Sequence, residues 1–443
     1  MLKEALVLKN EIFNMKRGGF MAFRKKILLL ASKISLESGT YTGVTPSDPE
    51  YMILDPVVTD EMADVGMHIK VRKGRRIEVI AKKAGTSIEH AQAMVDALVK
   101  CGIVRCVYEG DDHDVETYYY PIWVPGIMEG MLSVKEQVEK YPVIAECFER
   151  YTRYRTPILV PNFPVGMGPM RAMPVGSAIK NDSHAATYDE VEHIIERAWA
   201  ISVGPCSCRR TRRLMGEGCG HLEKDVCIFF NESAEYHIRT GHGREIDREE
   251  CYEILKRCEE NGLVHEISNL DPPDGAAAIC NCCGCCCEAL LAVKRFAIAR
   301  TIHSNFIAAS GGDCRGCGKC AKTCPVNAIT MQNGPAGRPF AFVDPERCIG
   351  CGVCVRACPA GAIRLEARPE RAITPLNTVN RVVAMAAERG MLRELIEDND
   401  AMGNHRIMAA VIGAIMKLPG APRALAVAQL KSRYLENLIG KMG

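Results

Sequence analysis

Cysteine constrains this chain more than any other residue type, since 23 of its 443 residues are cysteines. Most of them fall into two groups between Cys206 and Cys358. No apolar run approaches the ~20 residues of a membrane helix, and the apolar stretch at 27–31 is too short for a secretory signal. We therefore expect a cytoplasmic protein with no membrane span, in which clustered cysteines bind metal instead of forming disulfides.

The C-terminal group repeats one cysteine spacing, and each of its halves reads CxxCxxCxxxCP. Its eight members are Cys314, Cys317, Cys320, Cys324, Cys348, Cys351, Cys354 and Cys358. Three thiolates on one tight loop can hold three irons of a cubane, while the fourth points to another cluster. The proline that follows has no amide hydrogen in need of a partner. The alternative is a pair of zinc sites, since CxxC spacing alone also suits zinc.

Residues 305–368, which we refer to as the ferredoxin-like segment, resemble the bacterial two-cluster ferredoxin domain. The resemblance implies two [4Fe-4S] clusters related by pseudo-twofold symmetry, with exchanged fourth ligands. One cluster would use Cys314, Cys317, Cys320 and Cys358; the other would use Cys348, Cys351, Cys354 and Cys324. Glycines lie between the ligands at 316, 318, 350 and 352. We expect backbone amides to approach cluster sulfurs there, where a side chain would obstruct them.

The upstream group is denser and less regular. We predict that its ten members bind metal: Cys206, Cys208, Cys219, Cys227, Cys280, Cys282, Cys283, Cys285, Cys286 and Cys287. Neither helix nor strand periodicity buries six of the eight residues at 280–287 on one face, so packing does not explain them. Soft thiolates suit iron–sulfur clusters, zinc or copper(I). Ten thiols suffice for two further four-thiolate clusters, or for one unusual cluster with additional reactive thiols.

Basic residues follow the first two upstream cysteines directly, at Arg209, Arg210, Arg212 and Arg213. They are either a solvated helix face or fixed charge that offsets an anionic cluster, shifts its potential or binds an anionic substrate. His221 is either a ligand, a proton donor or a structural side chain. These alternatives stay open at the level of the sequence.

The five remaining cysteines are predicted to be packing residues: Cys101, Cys106, Cys147, Cys251 and Cys258. The last two lie in a predicted helix over 248–261, with Asp247 as its N-cap and Gly262 as its stop. Their spacing places them on one face with Ile254 and Leu255. Buried cysteine behaves as a small hydrophobe.

The chain as a whole resembles the multi-cluster 4Fe-4S dicluster proteins of anaerobic microbes over roughly 60–365. The residues that carry the resemblance are Cys206-Ser207-Cys208-Arg209, Gly218-Cys219, Cys227, Gly243-Arg244-Glu245, Cys280 to Cys287 and Ser304-Asn305-Phe306. The resemblance implies a helix-turn-helix-like N-terminal region, a cysteine-rich middle and a terminal two-cluster ferredoxin. It implies a redox role and leaves the reaction undefined.

Residues 60–125 have the outline of a winged helix. A helix over 76–84 precedes one capped by Thr86 and stopped by Gly102, and strands at 104–108 and 116–120 flank an acidic turn at 111–114. The acidic wing argues against DNA, and the basic cluster at 70–76 argues for it. The net charge is only +2. We expect docking or dimerisation here, and we regard DNA as an improbable partner.

These patterns predict a multidomain α+β protein. Its expected parts are an N-terminal extension (1–59), a winged-helix-like domain (60–150), a Pro/Gly-rich linker (151–180), an α/β cysteine-rich metal module (181–300), a two-cluster ferredoxin domain (301–370) and a helical tail (371–443). The linker is expected to be extended and to wrap over a neighbouring domain.

The function that we predict is electron transfer, as a subunit or partner of an anaerobic oxidoreductase. Two [4Fe-4S] clusters and one or two further iron–sulfur clusters would carry the electrons. The expected partner is a redox protein, either a flavoprotein or a larger oxidoreductase complex, and a homo-oligomer is a further option. The alternatives are a reductase with a substrate-binding cluster at 280–287 and a redox-sensing winged-helix regulator. No nucleotide-binding glycine motif, P-loop or H-E-x-x-H motif occurs, and no catalytic residue is predicted.

Overall fold

The structure is a computed structural model. It describes residues 23–38, 43–109, 115–159, 168, 170–174, 191–268, 277–297, 299, 302–334, 337–369 and 385–386. The predicted helical tail lies outside these residues, apart from 385 and 386. Among the residues so described, no helix combines the length and apolarity needed to cross a membrane.

Three helices open the described chain and share one hydrophobic core with the region that follows. They are α1 (Lys25–Glu37), α2 (Pro49–Leu54) and α3 (Asp60–Gly66). Ile27, Leu30 and Ile34 of α1 are fully buried in that core, and Trp123 Nε1 donates to Ser35 Oγ at 2.9 Å. The predicted boundary between 59 and 60 therefore does not separate two packing units, because α1 covers the apolar side of the later elements.

The two helices and the hairpin that were predicted for residues 76–120 follow α3. The elements are β1 (Lys70–Val71), α4 (Ile77–Ala84), α5 (Ile88–Lys100), β2 (Arg105–Glu109) and β3 (Val115–Tyr120). The strands form a sheet in the order β1-β3-β2. The cap of α5 is Ser87 and not Thr86, because the Ser87 hydroxyl accepts from His90 N at 3.2 Å. The acidic turn at 111–114 lies outside the described residues.

Three consecutive helices lead to the middle of the chain. They are α6 (Met128–Ser133), α7 (Lys135–Lys140) and α8 (Val143–Leu159). The prediction of an extended linker from 151 is wrong for its first nine residues, since α8 continues to Leu159. The Pro/Gly content obscured the helical periodicity that precedes it. Farther on, β4 (Met170–Met173) is extended and pairs with the sheet of the next region.

The cysteine-rich module, residues 181–300, is built on a six-stranded sheet. The strands of this sheet are β4, which precedes residue 181, and five strands of the module: β5 (Ile201–Gly204), β6 (Cys227–Phe230), β7 (Arg244–Glu245), β8 (Val264–Ser268) and β9 (Ala278–Cys282). The order is β4-β8-β9-β6-β5-β7, and every pairing is antiparallel. The module is therefore α+β instead of the α/β arrangement that we expected, because sequence pattern does not reveal strand direction.

Four helices accompany these strands. They are α9 (Val191–Arg197), α10 (Ser207–Leu214), α11 (Asn231–Thr240) and α12 (Arg248–Glu260). The prediction for α12 is confirmed: the Asp247 side chain accepts from Glu250 N at 2.8 Å, and Gly262 has a φ of 75°. The module ends in α13 (Glu288–Phe296), which starts directly after the dense cysteine block.

The ferredoxin-like segment folds as two similar halves. Its elements are β10 (Phe306–Ser310), α14 (Lys319–Thr323), β11 (Ile329–Asn333), β12 (Pro339–Val343), α15 (Val353–Ala357) and β13 (Ile363–Ala367). The first strand pairs with the last and β11 pairs with β12, both antiparallel. Its hydrophobic core also contains Leu290 and Val293 of α13. The segment is thus packed directly on the cysteine-rich module.

Candidate metal centres

One cavity of the ferredoxin-like segment is lined by four thiols. They belong to Cys324, Cys348, Cys351 and Cys354. Backbone amides face two of the sulfurs, since Ala328 N lies 3.2 Å from Cys324 Sγ and Ala308 N lies 3.5 Å from Cys348 Sγ. Donors of this kind stabilise thiolate ligands and tune a cluster. The donor set fits a four-thiolate cluster whose fourth ligand comes from the other repeat.

The other four cysteines of the segment gather nearer the surface. Burial raises the pKa of Cys320, and the thiolates of Cys314 and Cys358 raise this pKa further. Cys358 Sγ accepts from Ala362 N at 3.3 Å, and Cys317 is exposed. The C-terminal cysteine of the second repeat therefore lies beside the first repeat, as the exchanged pattern requires.

The glycines between these ligands have left-handed backbones. Values of φ lie between 68° and 80° at Gly316, Gly318, Gly350 and Gly352. A Cβ on Gly350 would collide with Phe306 O and Ser304 Oγ, and one on Gly316 would lie 2.6 Å from Pro339 O. At these two positions the neighbouring strand leaves no room for a side chain. Each loop is thereby held against a strand of the segment.

Six of the ten upstream thiols converge, and we call them the six-thiol set. They are Cys206, Cys208, Cys227, Cys280, Cys282 and Cys287. Cys206 is the N-cap of α10 and Cys287 the N-cap of α13, where helix amides favour a thiolate. Cys280 and Cys282 are two residues apart on β9 and so share one face of the strand. Distant parts of the chain supply this set.

Thiol–thiol hydrogen bonds join the six into a closed ring. Its order is Cys206, Cys208, Cys287, Cys282, Cys280 and Cys227, returning to Cys206. Hydrogen bonds from Cys227 and Cys282 lower the pKa of Cys280 to about 5. Those from Cys208 and Cys227 lower the pKa of Cys206 well below its usual range. Thiols in such close contact are suited to shared metal ligation, and metal binding would displace their protons.

A buried carboxyl group beside this ring escaped the sequence analysis. Glu266 is 1% exposed, and Cys287 Sγ lies 3.7 Å from its Oε2. Burial raises the pKa of Glu266 well above its usual range, and the thiolate of Cys287 adds to this. Among the described residues, its Oε1 has no hydrogen-bond partner. The available signal was weak: Glu266 lies between His265 and Ile267 in a short strand, and only the structure shows that this strand is buried on both faces.

The other four upstream thiols form a second cluster, the four-thiol set. It comprises Cys219, Cys283, Cys285 and Cys286. Cys219 Sγ lies 3.9 Å from Cys283 Sγ, and these two sulfurs and that of Cys285 are all within 4.8 Å of one another. A hydrogen bond from Cys286 lowers the pKa of Cys283 to about 5. Cys285 is exposed, so this set reaches the surface.

Arg209 lies between the two sets. It is 3% exposed, and its Nη2 donates to Asn281 O at 2.9 Å. Burial by itself would lower the pKa of Arg209, but nearby thiolates raise it; they belong to Cys206, Cys227, Cys282 and Cys283. The guanidinium thus supplies a fixed positive charge to both thiol sets.

The interpretation of the four arginines as a solvated face is wrong for three of them, because Arg209, Arg210 and Arg212 are buried. Arg210 Nη1 donates to Leu132 O at 2.8 Å, which ties α10 to α6. Arg212 forms ion pairs with Glu149, Glu217 and Glu288. Only Arg213 is on the exposed side, where it pairs with Glu223. Helical amphipathicity failed here because two further helices cover α10.

A surface cleft of about 580 Å³ opens beside the four-thiol set. Its lining includes Cys219, Arg209, Arg213, Lys224 and Arg257. His221 also lines it, and its Nδ1 lies 2.9 Å from Asn261 Oδ1. That hydrogen bond agrees with a structural histidine.

The four-thiol set meets the ferredoxin-like segment through backbone contact. Gly284, between Cys283 and Cys285, lies so close to Pro325 O that a Cβ would collide with it. Pro325 directly follows Cys324, which lines the cavity of the ferredoxin-like segment. An ion pair between Arg356 and Glu259, at 3.1 Å, also spans the junction of the two regions. Two groups of candidate ligands are therefore neighbours across this junction.

The cysteines predicted to be packing residues belong to neither thiol set, although Cys251 and Cys258 share a hydrophobic core with Cys206, Cys227, Cys283 and Cys286. Cys106, Cys147, Cys251 and Cys258 are buried and Cys101 is half-buried. Burial raises the pKa of Cys251 and of Cys258 to about 12. Both belong to a hydrophobic core with Ile254 and Leu255. Their predicted shared face on α12 is confirmed.

Comparison with known proteins identifies one part of the chain. Residues 313–362 match the family model of the 4Fe-4S dicluster domain. No curated protein and no solved structure matches the chain. The match covers all eight cysteines of the repeated spacing, and the ten upstream cysteines lie outside it. This protein therefore carries an iron–sulfur, ferredoxin-type domain within a longer α+β chain.

Proposed function

We propose that this protein is an iron–sulfur electron-transfer protein, acting as a subunit or partner of an anaerobic oxidoreductase. Two [4Fe-4S] clusters in the ferredoxin-like segment and further clusters in the cysteine-rich module form the electron path. The ligands are the eight cysteines of the repeated spacing and the ten upstream cysteines. Electron transfer through clusters requires the side chains only to ligate the metal, to donate hydrogen bonds to sulfur and to supply local charge.

The observation that carries the proposal is the junction at Gly284 and Pro325. It brings the four-thiol set against the loop of Cys324 with no side chain between the backbones. Four thiols suffice for one cluster, so an electron that reaches the cavity of Cys324 has an acceptor next to it. Arg209 offsets the negative charge of the thiolates on the upstream side, which favours the reduced state there.

The proposed role of the winged-helix-like region is docking. Its helix α5 and its hairpin pack on α11 of the cysteine-rich module in the same chain. Tyr236 OH donates to Val99 O at 3.3 Å, and Arg239 pairs with Glu116 at 2.7 Å. These contacts occupy the end of α5 and one side of the hairpin. They support docking over DNA binding, and the external partner that we propose is a flavoprotein or a larger oxidoreductase complex in the cytoplasm.

A second candidate function is that of an iron–sulfur reductase. The cleft beside Cys219 favours it, because a surface space of about 580 Å³ next to a thiol cluster could admit a substrate. The substrate would be anionic, since the lining contains four basic residues, Arg209, Arg213, Lys224 and Arg257, against two acidic ones, Glu223 and Asp225. Turnover by the isolated chain with an artificial reductant separates this role from electron transfer alone.

The test is a reductive titration of the full chain, purified anaerobically and followed by EPR and by iron and sulfide analysis. We expect more than about eight irons per chain, the content of two cubanes, and reducible signals beyond those of two ferredoxin clusters. Gly284→Ala should separate the two regions and slow electron exchange between them, whereas Gly312→Ala, where a Cβ meets nothing within 4 Å, should not. Fewer than eight irons would refute the proposal.

A further inference from the structure

The ten upstream thiols divide by contact, and the division does not follow their order in the chain. Each thiol–thiol hydrogen bond described above joins two members of the same set. Cys282 and Cys283 are consecutive residues, yet the sulfur of Cys282 lies within 4.8 Å of Cys287 Sγ and the Glu266 carboxyl group, whereas that of Cys283 lies within 4.8 Å of the sulfurs of Cys219 and Cys285. Arg209 and the backbone of Asn281 lie where the two sets approach each other.

We propose that these thiols form two separate metal centres, a four-thiolate centre at the surface and a buried six-thiolate centre that is polynuclear. The inference deepens the proposed function, because it assigns ligands to each upstream centre. The surface centre takes the four-thiol set and lies next to the ferredoxin-like segment. The buried centre takes the six-thiol set, with the Glu266 carboxyl group beside it.

The number of thiols in the ring requires more than one metal ion. A tetrahedral ion binds four thiolates, and so does a single cubane. If only four of the six thiols bound metal, the other two would remain in hydrogen-bonding contact with the ligands and have no role. Four of the ring cysteines are buried and the other two half-buried, and uncompensated thiolates at such depth are costly. When these thiols are deprotonated as ligands, Arg209 compensates one negative charge and metal ions would compensate the others.

The ring also divides into two equivalent halves. Each of the two Cys-x-Cys pairs contributes one thiol to each half. One half consists of Cys206, Cys227 and Cys280, and the other of Cys208, Cys282 and Cys287. Three thiolates in each half suit two linked metal sites. Six thiolates do not fit around one tetrahedral ion, which binds four. The Glu266 oxygen and the sulfurs of Cys282 and Cys287 all lie within 4.8 Å of one another, which gives the second half an additional donor.

Two matched substitutions test the division. Cys219→Ser affects the four-thiol set and Cys227→Ser the ring, and both residues lie outside the dense block at 280–287. The full chain of each variant is reconstituted anaerobically with ferrous iron and sulfide, and its iron, sulfide, zinc and copper are counted. Cys251→Ala, in the packing core of α12, is the control and should keep the wild-type metal content.

We expect Cys219→Ser to lose up to about four irons, the content of one cubane, while the signals of the buried centre persist. Cys227→Ser should lose at least two metal ions and keep the surface centre, and the double variant should lose the sum. If one variant fails to fold, Cys286→Ser or Cys208→Ser replaces it. Loss of both centres from either single variant would overturn the division, and loss of only one ion from Cys227→Ser would overturn the polynuclear centre.

This outcome is distinguishable from failure of the proposed function. Should the upstream metal be zinc, the counts would still divide between the two sets, whereas electron transfer through them would be refuted. Should the chain hold only the iron of the ferredoxin-like segment, the proposed function and the inference would both fail at the first measurement.

Discussion

The ferredoxin-like segment and the cysteine-rich module place their thiols in opposite ways. In the first, two short segments, each a loop followed by a short helix, carry all eight cysteines, and β10 and β12 hold the loops at Gly350 and Gly316. In the second, the six-thiol set comes from α10, β6, β9 and the start of α13. Local chain geometry dominates one region and long-range packing the other. The two regions should therefore fail separately and for different reasons.

The largest expected effect is the loss of one ferredoxin cluster on Gly350→Ala. Alanine in a left-handed backbone costs about 1–2 kcal/mol, and its Cβ would also collide with Phe306 O. The loop between Cys348 and Cys351 must then move, so we expect about four irons fewer per chain. Iron and sulfide analysis of the full chain measures this.

The matched control is Gly361→Ala, at a φ of 61° with nothing within 4 Å of the added Cβ. Gly361→Ala should have only the energetic cost of alanine in a left-handed backbone, and it should keep its iron. The comparison between the regions breaks down if Gly350→Ala also removes upstream iron, or if it removes none.

The next effect in size concerns the packing on which the six-thiol set depends. Arg212 joins α10 to Glu149 of α8, at 3.0 Å, and to Glu288 of α13, at 3.2 Å. Arg212→Met removes the buried cation that Glu149 and Glu288 share and leaves them, within the described part of the chain, only Arg153, at 2.5 Å, and Arg295, at 4.0 Å. Because each carboxylate keeps one partner, we expect a loss of about 3 kcal/mol of unfolding free energy, the lower end of the range for a broken buried ion pair. Arg213→Met, at an exposed pair with Glu223, should cost less than about 1 kcal/mol. Urea unfolding under anaerobic conditions measures both, and equal losses would contradict the expectation.

The smallest effect is a pH dependence at the contact between the module and the N-terminal region. Burial lowers the pKa of His242 to about 4, while its Nε2 lies 3.2 Å from Lys100 O. The unfolded chain binds the proton more tightly, so the contribution of His242 to stability is complete above about pH 6.5 and is lost as the pH falls towards 4. Between pH 7 and pH 5 this loss amounts to about 2 kcal/mol.

His242→Gln should remove that part of the dependence, so that its unfolding free energy falls less than that of the wild type between pH 7 and pH 5. His90→Gln, at an exposed position of α5, is the control and should behave as the wild type. An unchanged difference between the two pH values in His242→Gln would show that the contact does not sense protons.

Sequence reasoning succeeded where the pattern is local. The helix from Asp247 to Gly262, the buried face of Cys251 and Cys258, and the repeated cysteine loops all follow from short-range spacing. It failed where distant segments meet. The continuation of α8 past 151 was not foreseen. Arg212 is buried against Glu288, 76 residues away along the chain, and Glu266 lies beside Cys287, 21 residues away.

The sequence by itself determined that residues 313–362 form an iron–sulfur domain, because its ligands lie on loops whose glycines and prolines dictate their path. It also identified the ten upstream thiols as too dense for packing. Only the tertiary structure decided how those ten divide, since Cys282 and Cys283 are adjacent in the chain but face different partners. A β-strand and a turn orient successive side chains differently, and long-range pairing of β9 with β6 and β8 decides what each thiol meets.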